Sequence, residues 1–393
     1  MTGGGSGGHI TPILAVAQEL KRVRPDIHIT YISQTGDAFQ DIPEDHPSID
    51  EVYHVRAGKF RRYHGEGWRQ LLDLKTMYLN IRDAIFILTG LVQSYLLLRK
   101  IQPNIIFTRG SYVSVPVCLS AALQGIPYVT HDSDAIPSLT NRIIARWASV
   151  HAVALPKELY PYPADKTVTV GVPISGDYKP VDGVLKKQYR KELGLQGYAE
   201  ILLVTGGGLG AQRLNTAVIE NASFLLQQYP RMAIVHLTGK ANEAEVQAAY
   251  DEVLKSQDVR KRMIVKGFTT DMARYSGAAD VVVARGGATN LAELAVQAKP
   301  CIIVPNPLLT GGHQLKNTAA LKKRGAIVEL TEDQIEQELR LGHVVIDILA
   351  HPAKVQELSR QFASFALPDA AKRIAAVLLD KARPDAHGAS ETS

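Results

Sequence analysis

Glu293 lies about one helical turn past Ala288-Thr289-Asn290, which follow the glycine pair Gly286-Gly287. The apolar run Asp280 to Ala284 ahead of the glycines has the composition of a buried strand. Strand, glycine turn and helix start leave the first helical amides without partners inside the helix. Such an end carries roughly half a positive charge and suits a diphosphate. A carboxylate one turn further on can accept hydrogen bonds from both hydroxyls of a ribose. A phosphate seat beside a diol acceptor makes a nucleotide site. The bland alternative is a glycine turn with a solvated glutamate.

A second candidate is His9, which ends the loop Gly3-Gly4-Gly5-Ser6-Gly7-Gly8 and leads into helically spaced apolar residues at 13, 14, 16, 17 and 20. Its near-neutral pKa suits it to take a proton from an attacking hydroxyl, whereas the bland reading is a helix cap. Two loops also match dinucleotide fingerprints literally, Gly3-x-Gly5-x-x-Gly8 and Gly206-x-Gly208-x-x-Ala211. A nicotinamide site also needs an acidic residue ending the next strand. Here those strands end in Ser33-Gln34 and Thr238-Gly239, which argues against an oxidoreductase. Asp132-Ser133-Asp134 resembles the carboxylate pair with which metal-dependent sugar transferases hold a manganese diphosphate. So short a match arises often by chance, and helix ends can seat a diphosphate without metal. The twelve histidines show no zinc pattern, and Cys118 and Cys301 sit in apolar runs as expected of buried thiols. No metal and no cofactor are expected.

These residues need elements to hold them. Strands and helices alternate in both halves, and the glycine loops recur at strand ends. That pattern predicts two doubly wound α/β domains facing a cleft, with ligands at the carboxyl ends of the strands. A length of 393 residues also favours two cores over one. The polar stretch from Ser175 to Gly194 reads as the linker, giving domains over residues 1–175 and 195–365 and a final helix and tail over 366–393. A formal charge of +5 favours anionic partners but is too small to imply nucleic acid. The most apolar run, Ala84 to Leu98, is shorter than the roughly 20 residues that a spanning helix needs. From Lys59 to Ile81, Lys and Arg interleave with Trp68 and paired leucines, which describes either part of a core or a patch for an anionic membrane surface. One element is expected and missing: only Met1 and Thr2 precede the first glycine loop, where a strand of about 5–6 residues belongs. The natural start is therefore expected upstream, with Gly3 to His9 displaced or mobile in the chain as it stands.

The segments GGGSGGHITP, SYVSVP, HDSDAIPSLTNRI, GGGLGAQRLN, KGFTTDM and RGGATNLAELAVQAKPCIIVP follow one another in order from Gly3 to about Leu330. Together they resemble glycosyltransferase family 28, the peptidoglycan N-acetylglucosaminyltransferases that form lipid II. The resemblance implies the two-domain, metal-independent GT-B fold. It also implies UDP-N-acetylglucosamine as donor in the C-terminal domain. The acceptor would be undecaprenyl-linked lipid I, held by the N-terminal domain at the cytoplasmic face of the membrane, where the enzyme would be peripheral. His9 would act as base or acceptor-positioning group. Ser6, Gly7, Gly8, Gly207, Gly208, Gly287, Ala288 and Thr289 would meet the donor, with Phe268-Thr269 at uracil, Glu293 at ribose, and His313 and Gln314 near the sugar. Tyr112, Ser114, His131, Asp132, Asp134 and Asn141 would lie on the acceptor side. The chain departs from the family in having Gly208 where a serine is usual, Ser175 where an arginine often stands, and Asp134 where some members have asparagine. The rival functions are a nucleotide-sugar epimerase or hydrolase of the same fold, and a binding protein without turnover.

Overall fold

The computed structural model describes the chain except for residues 6, 38, 59–73, 208–209, 310–311 and 385–393; the side chains of 7–9 and 74–81 also lie outside the described part. It divides into two compact units, Met1–Ser175 with Asp369–Ser393, and Gly176–Pro368.

In unit 1 the chain runs α1 (Gly7–Val23), β1 (Thr30–Gln34), α2 (Asp41–Glu44), β2 (Glu51–Val55), α3 (Leu74–Ile101), β3 (Ile106–Thr108), α4 (Ser114–Leu123), β4 (Tyr128–Asp132), α5 (Leu139–Ile144), β5 (Val150–Val153) and β6 (Thr167–Thr169). All ladders are parallel: β1 pairs with β2, and β3, β4, β5 and β6 follow in that order. Strands β4 and β5 are buried throughout, although Thr130, His131 and Asp132 of β4 and His151 of β5 are polar.

Thr2 joins the two ladders. It bridges Ile32 on one side and Thr108 on the other, both in parallel sense. The Met1 amino group donates to the Thr30 carbonyl at 2.6 Å, Ile32 N–H donates to Met1 O at 2.8 Å, and Thr2 N–H donates to Phe107 O at 3.0 Å. This corrects the expectation of a gap only at the carboxyl end of the missing strand, where Thr2 pairs on both sides; beyond Met1 a groove still parts the flanking segments. Gly3 is likewise held, its N–H donating to Ile32 O at 3.3 Å, and Gly5 N–H donates to Asp37 Oδ2 at 2.6 Å. A groove of about 610 Å³ runs from Met1 between Ile27–Thr30 and Ile105–Phe107.

The second correction concerns α3. The apolar run was expected to be too short to cross a membrane, but the helix has 28 residues. Its Arg82–Ile101 stretch is long and apolar enough to do so by length and composition. The sequence count stopped at the flanking polar residues, whereas the helix carries on through them to Ile101.

Unit 2 runs α6 (Gly183–Glu192), β7 (Glu200–Thr205), α7 (Gln212–Gln228), β8 (Met232–Leu237), α8 (Glu243–Val253), α9 (Gln257–Arg260), β9 (Met263–Lys266), α10 (Met272–Ala278), β10 (Val281–Ala284), α11 (Ala288–Val296), β11 (Cys301–Ile303), α12 (His313–Lys323), β12 (Val328–Glu329), α13 (Glu332–Ile335), α14 (Arg340–Ala350) and α15 (Pro352–Ala363). The sheet is parallel in the order β12-β11-β10-β7-β8-β9. Period-2 alternation splits its core into two layers: Leu202, Val204, Val281, Val283 and Ile302 face one side, and Ile201, Leu203, Val282, Ala284 and Ile303 the other. Helix α6, expected as linker, packs into this second layer through the buried Tyr189. Its Lys186 and Arg190 bind Asp280 at 2.5 and 2.6 Å.

After unit 2 the chain returns to unit 1 as α16 (Ala370–Lys381). Ala371, Ile374, Ala375 and Leu378 there share a core with Ile13, Val16 and Leu20 of α1.

Candidate active site

In unit 2 the chain leaves β7 outward through β8 and β9, then returns to β10 on the other side of β7. Strand order therefore reverses between β7 and β10, and such a switch point is where open α/β sheets bind ligands. Both strands end there in glycine loops that open α7 and α11. A Cβ at Gly210, whose φ is +78°, would lie 2.3 Å from Thr238 O, so the close approach of chain to chain demands glycine. Gly286 and Gly287 divide the work differently. A Cβ at Gly286 would come within 3.0 Å of Thr318, whereas one at Gly287 would meet nothing within 4 Å. The first glycine is crowded by the start of α12; the second fronts open space from which a ligand can reach the backbone. The N-caps are Ala211 for α7 and Gly287 for α11, neither of which supplies a capping side chain. Two helix starts at adjacent strand ends thus present amides and positive dipole ends to an anion.

Glu293 lies on α11 and is half-buried. The Tyr178 hydroxyl donates to its carboxylate; burial first, and then that negative charge, push the Tyr178 phenol well above its usual range. The start of α12 packs against the β10 loop. Asn317 Nδ2 donates to Gly286 O at 3.1 Å, and the buried Gln314 accepts from Asn306 N–H at 2.9 Å through Oε1. His313 and Gln314 are therefore brought to the glycine turn, as are Ala288 and Thr289, which open α11. Phe268 and Thr269 follow β9 on the same carboxyl edge of the sheet. Lys240 Nζ lies 5.1 Å from the centre of the Phe268 ring, and Thr269 Oγ1 accepts from Asp271 N–H at 3.0 Å. Gly207 lies in the β7 loop with φ +85°. Ser6 and Gly208 lie outside the described residues. Gly7, Gly8 and His9 open α1 in unit 1, and the His9 side chain lies outside the described part.

The other unit 1 candidates sort by burial. Ser114 is fully buried, accepting from Thr108 Oγ1 at 2.5 Å. His131 is also fully buried, with Nε2 2.9 Å from Gly171 O and Nδ1 3.3 Å from Ser133 Oγ. Burial, and then the Arg109 charge, lower its pKa to about 3, so it is neutral and holds its proton on Nε2 toward the carbonyl. Asp132 has both oxygens engaged: Oδ1 accepts from Ser138 N–H and Asn141 Nδ2, and Oδ2 accepts from the Tyr162 hydroxyl at 2.7 Å. Asn141 also donates to His131 O at 2.9 Å. These four form scaffold beneath the loops after β3 and β4. Tyr112 is exposed and Asp134 half-buried, so these two reach the surface.

Residues 1–153 match the glycosyltransferase family 28 N-terminal domain, and residues 201–374 match its C-terminal domain. The chain belongs to glycosyltransferase family 28. A curated relative is the UDP-N-acetylglucosamine–N-acetylmuramyl-(pentapeptide) pyrophosphoryl-undecaprenol N-acetylglucosamine transferase of Desulfitobacterium hafniense (strain Y51). It is 32% identical over 388 residues, covering 97% of this chain and 98% of that protein. The enzyme of the same name from Bacillus pumilus (strain SAFR-032) is 30% identical over 381 residues, with 96% and 97% covered. Among solved structures, MurG of Acinetobacter baumannii aligns with a TM-score of 0.67 at 22% identity, over 97% of this chain and 98% of that one. The family assignment and the pair of doubly wound units agree with the fold expected from sequence.

Sequence reasoning missed several residues in this family 28 chain. Tyr178 touches Glu293 from a stretch assigned to the linker. Arg109, buried at the end of β3, donates to Ser133 through Nη2. Arg285 and Glu332 form a buried ion pair at the end of β10. A charged residue directly between an apolar strand and a glycine pair was the available signal for Arg285.

Proposed function

We propose that this protein transfers N-acetylglucosamine from UDP-N-acetylglucosamine to undecaprenyl-diphospho-N-acetylmuramoyl-pentapeptide, converting lipid I to lipid II. The relatives at 30–32% identity over nearly the whole chain carry that activity in their names. The structural observation that carries it is the pair of uncapped helix starts at the β7/β10 switch point, with Glu293 one turn inside α11. The muramoyl 4-hydroxyl oxygen forms a bond to the anomeric carbon, and the bond from that carbon to the diphosphate oxygen breaks, inverting the centre. The hydroxyl proton passes to a base, for which His9 is the candidate. The charge developing on the UDP leaving group is met by the amides and dipole ends of α7 and α11. Glu293 takes the ribose hydroxyls, Phe268-Thr269 the uracil, and His313 and Gln314 the sugar.

The turnover expected is release of UDP that requires both lipid I and donor. Incubation with donor alone, with donor and lipid acceptor, and without protein tests this. Consumption of UDP-N-acetylglucosamine without acceptor would mean an epimerase or hydrolase, and no turnover in any arm would mean a binding protein.

Attachment to the membrane surface rests on α3. One face of this helix is fixed to unit 1: Asp83, Gly90, Ser94 and Leu98 are buried, and Leu91 O and Tyr95 O accept from Ser120 Oγ and Gln124 Nε2 of α4 and its cap. On another face Ile85, Leu88, Val92 and Leu96 are 54–64% exposed, at helical spacing. A helix fastened along one side lies on the bilayer surface with its apolar stripe inward, and does not cross. The basic stretch Lys59 to Arg69, outside the described residues, adds about 1 kcal/mol for each Lys or Arg near anionic lipid. Replacing Leu88 and Val92 together by Asp is expected to cut co-sedimentation with acidic vesicles by about tenfold or more, since each buried aliphatic contributes about 1.5–3 kcal/mol. Replacing Lys59, Arg61 and Arg62 by Ala, or raising salt, should act in the same direction. Unchanged sedimentation of the Asp variant would remove α3 from the interface.

A further inference from the structure

Glu332 opens α13 and is buried, yet it belongs to none of the glycine loops. Its two carboxylate oxygens go to different partners. Oε1 lies 2.7 Å from Arg285 Nη2, and Oε2 lies 2.5 Å from Arg213 Nη1. Arg285 is the residue between β10 and Gly286, and its other terminal nitrogen, Nη1, donates to Val304 O just past β11 at 3.1 Å. Arg213 is in the first turn of α7, directly after the β7 glycine loop. Its remaining nitrogens reach the same short helix, Nε to Glu336 at 2.5 Å and Nη2 to Asp333 at 3.3 Å. One carboxylate therefore ties together the ends of three neighbouring strands, β7, β10 and β11. Those ends carry the Gly206–Gly210 loop, the Gly286–Gly287 turn, and the loop whose Asn306 amide is held by Gln314.

We infer that Glu332 is a positioning residue that sets the spacing of the two diphosphate-binding helix starts by holding Arg285 and Arg213 on a single carboxylate. The inference rests on the reading of unit 2 as the UDP site. The contact is made between side chains far apart in sequence, and both oxygens of the buried Glu332 carboxylate are taken by guanidinium groups, so Glu332 acts on the ligand through the elements it holds. A guanidinium fork and a carboxylate have fixed mutual geometry, and a split carboxylate converts that geometry into a spacing between two elements.

The sign of one measurement separates this role from plain electrostatics. Glu332→Gln removes a negative charge near a diphosphate seat, so charge alone predicts tighter UDP binding. Loss of the clamp predicts weaker binding. We expect UDP affinity, measured by titration calorimetry, to fall about tenfold, the scale of coupling within one ion-pair network. Uridine, which lacks the diphosphate, should bind the variant and the wild type equally. Arg213→Lys keeps the positive charge but not the guanidinium fork, leaves the buried Arg285–Glu332 pair in place, and should show the same pattern with a smaller loss; it decides the matter if the Glu332 variant does not fold. UDP affinity equal to or above wild type in both variants overturns the inference. Parallel loss of uridine and UDP also overturns it, because that signals general loosening of the unit. If wild-type protein fails to bind UDP, the donor-site reading itself falls, and the clamp falls with it; wild-type binding with unaltered variants removes the clamp alone.

Discussion

Replacing His9 by Ala is expected to reduce turnover by about 10²- to 10⁴-fold, the range for loss of a general base. UDP affinity should remain near that of the wild type, because the ligands proposed for uracil, ribose and diphosphate belong to unit 2, whereas His9 opens α1 of unit 1, beside residues proposed only for the donor sugar. Of the other two histidines singled out from the sequence, His313 is proposed for the donor sugar, and His131 does not compete for this role. His131 is fully buried, with its pKa lowered to about 3 and Nε2 committed to Gly171 O. Turnover of the His9 variant within a few-fold of wild type would exclude it as the base. In the same assay EDTA should leave activity intact. A strict need for a divalent ion would turn attention back to Asp132 and Asp134, although a metal at Asp132 would have to displace Tyr162, Asn141 and the Ser138 amide from its oxygens.

Glu293→Ala is expected to weaken UDP binding by about 10- to 150-fold, equivalent to roughly 1.5–3 kcal/mol for a charged acceptor serving two hydroxyls. The carboxylate is not a loose surface group in the free protein: the Tyr178 hydroxyl already donates to it. Removing it also leaves that phenol without its acceptor. Tyr178→Phe, which keeps the carboxylate, should therefore cost much less UDP affinity than Glu293→Ala. Titration of UDP into both variants and into wild type makes the comparison. Wild-type affinity in Glu293→Ala would show that the ribose is bound elsewhere.

The strand, glycine and helix pattern around Gly206–Asn215 and Gly286–Glu293 was legible because each unit is local: an apolar run, a turn that needs glycine, and a helical period follow within twenty residues. The parallel sheets followed from the alternation of such units. What stayed hidden depends on long-range placement. Nothing local to Thr331-Glu332-Asp333 announces that its carboxylate lies between Arg213 and Arg285. Likewise the polar composition of 175–194 suggested a linker, while α6 is held by a carboxylate at the foot of β10, Asp280, and by burial of Tyr189. Thr2 is the sharpest case. Strand propensity over two residues carries no signal, yet one residue satisfied on both edges is enough to join β1 to β3. The unit 1 candidates were legible as a motif but not as a hierarchy: only burial separates the scaffold of Ser114, His131, Asp132 and Asn141 from the accessible Tyr112 and Asp134.

The return of α16 to unit 1 bears on how the protein is made. Unit 2 is an insertion within unit 1, so the apolar face of α1 that α16 covers leaves the ribosome long before its cover exists. At about 5–20 residues per second, synthesis of the intervening residues 176–368 takes about 10–40 s. During that time Ile13, Val16 and Leu20 wait for Ile374 and Leu378. Unit 2, continuous in sequence, can complete its own core in the interval. Nascent chains stalled before residue 370 should hence carry a finished unit 2 and a unit 1 still open on one side, the state in which a chaperone has most to hold.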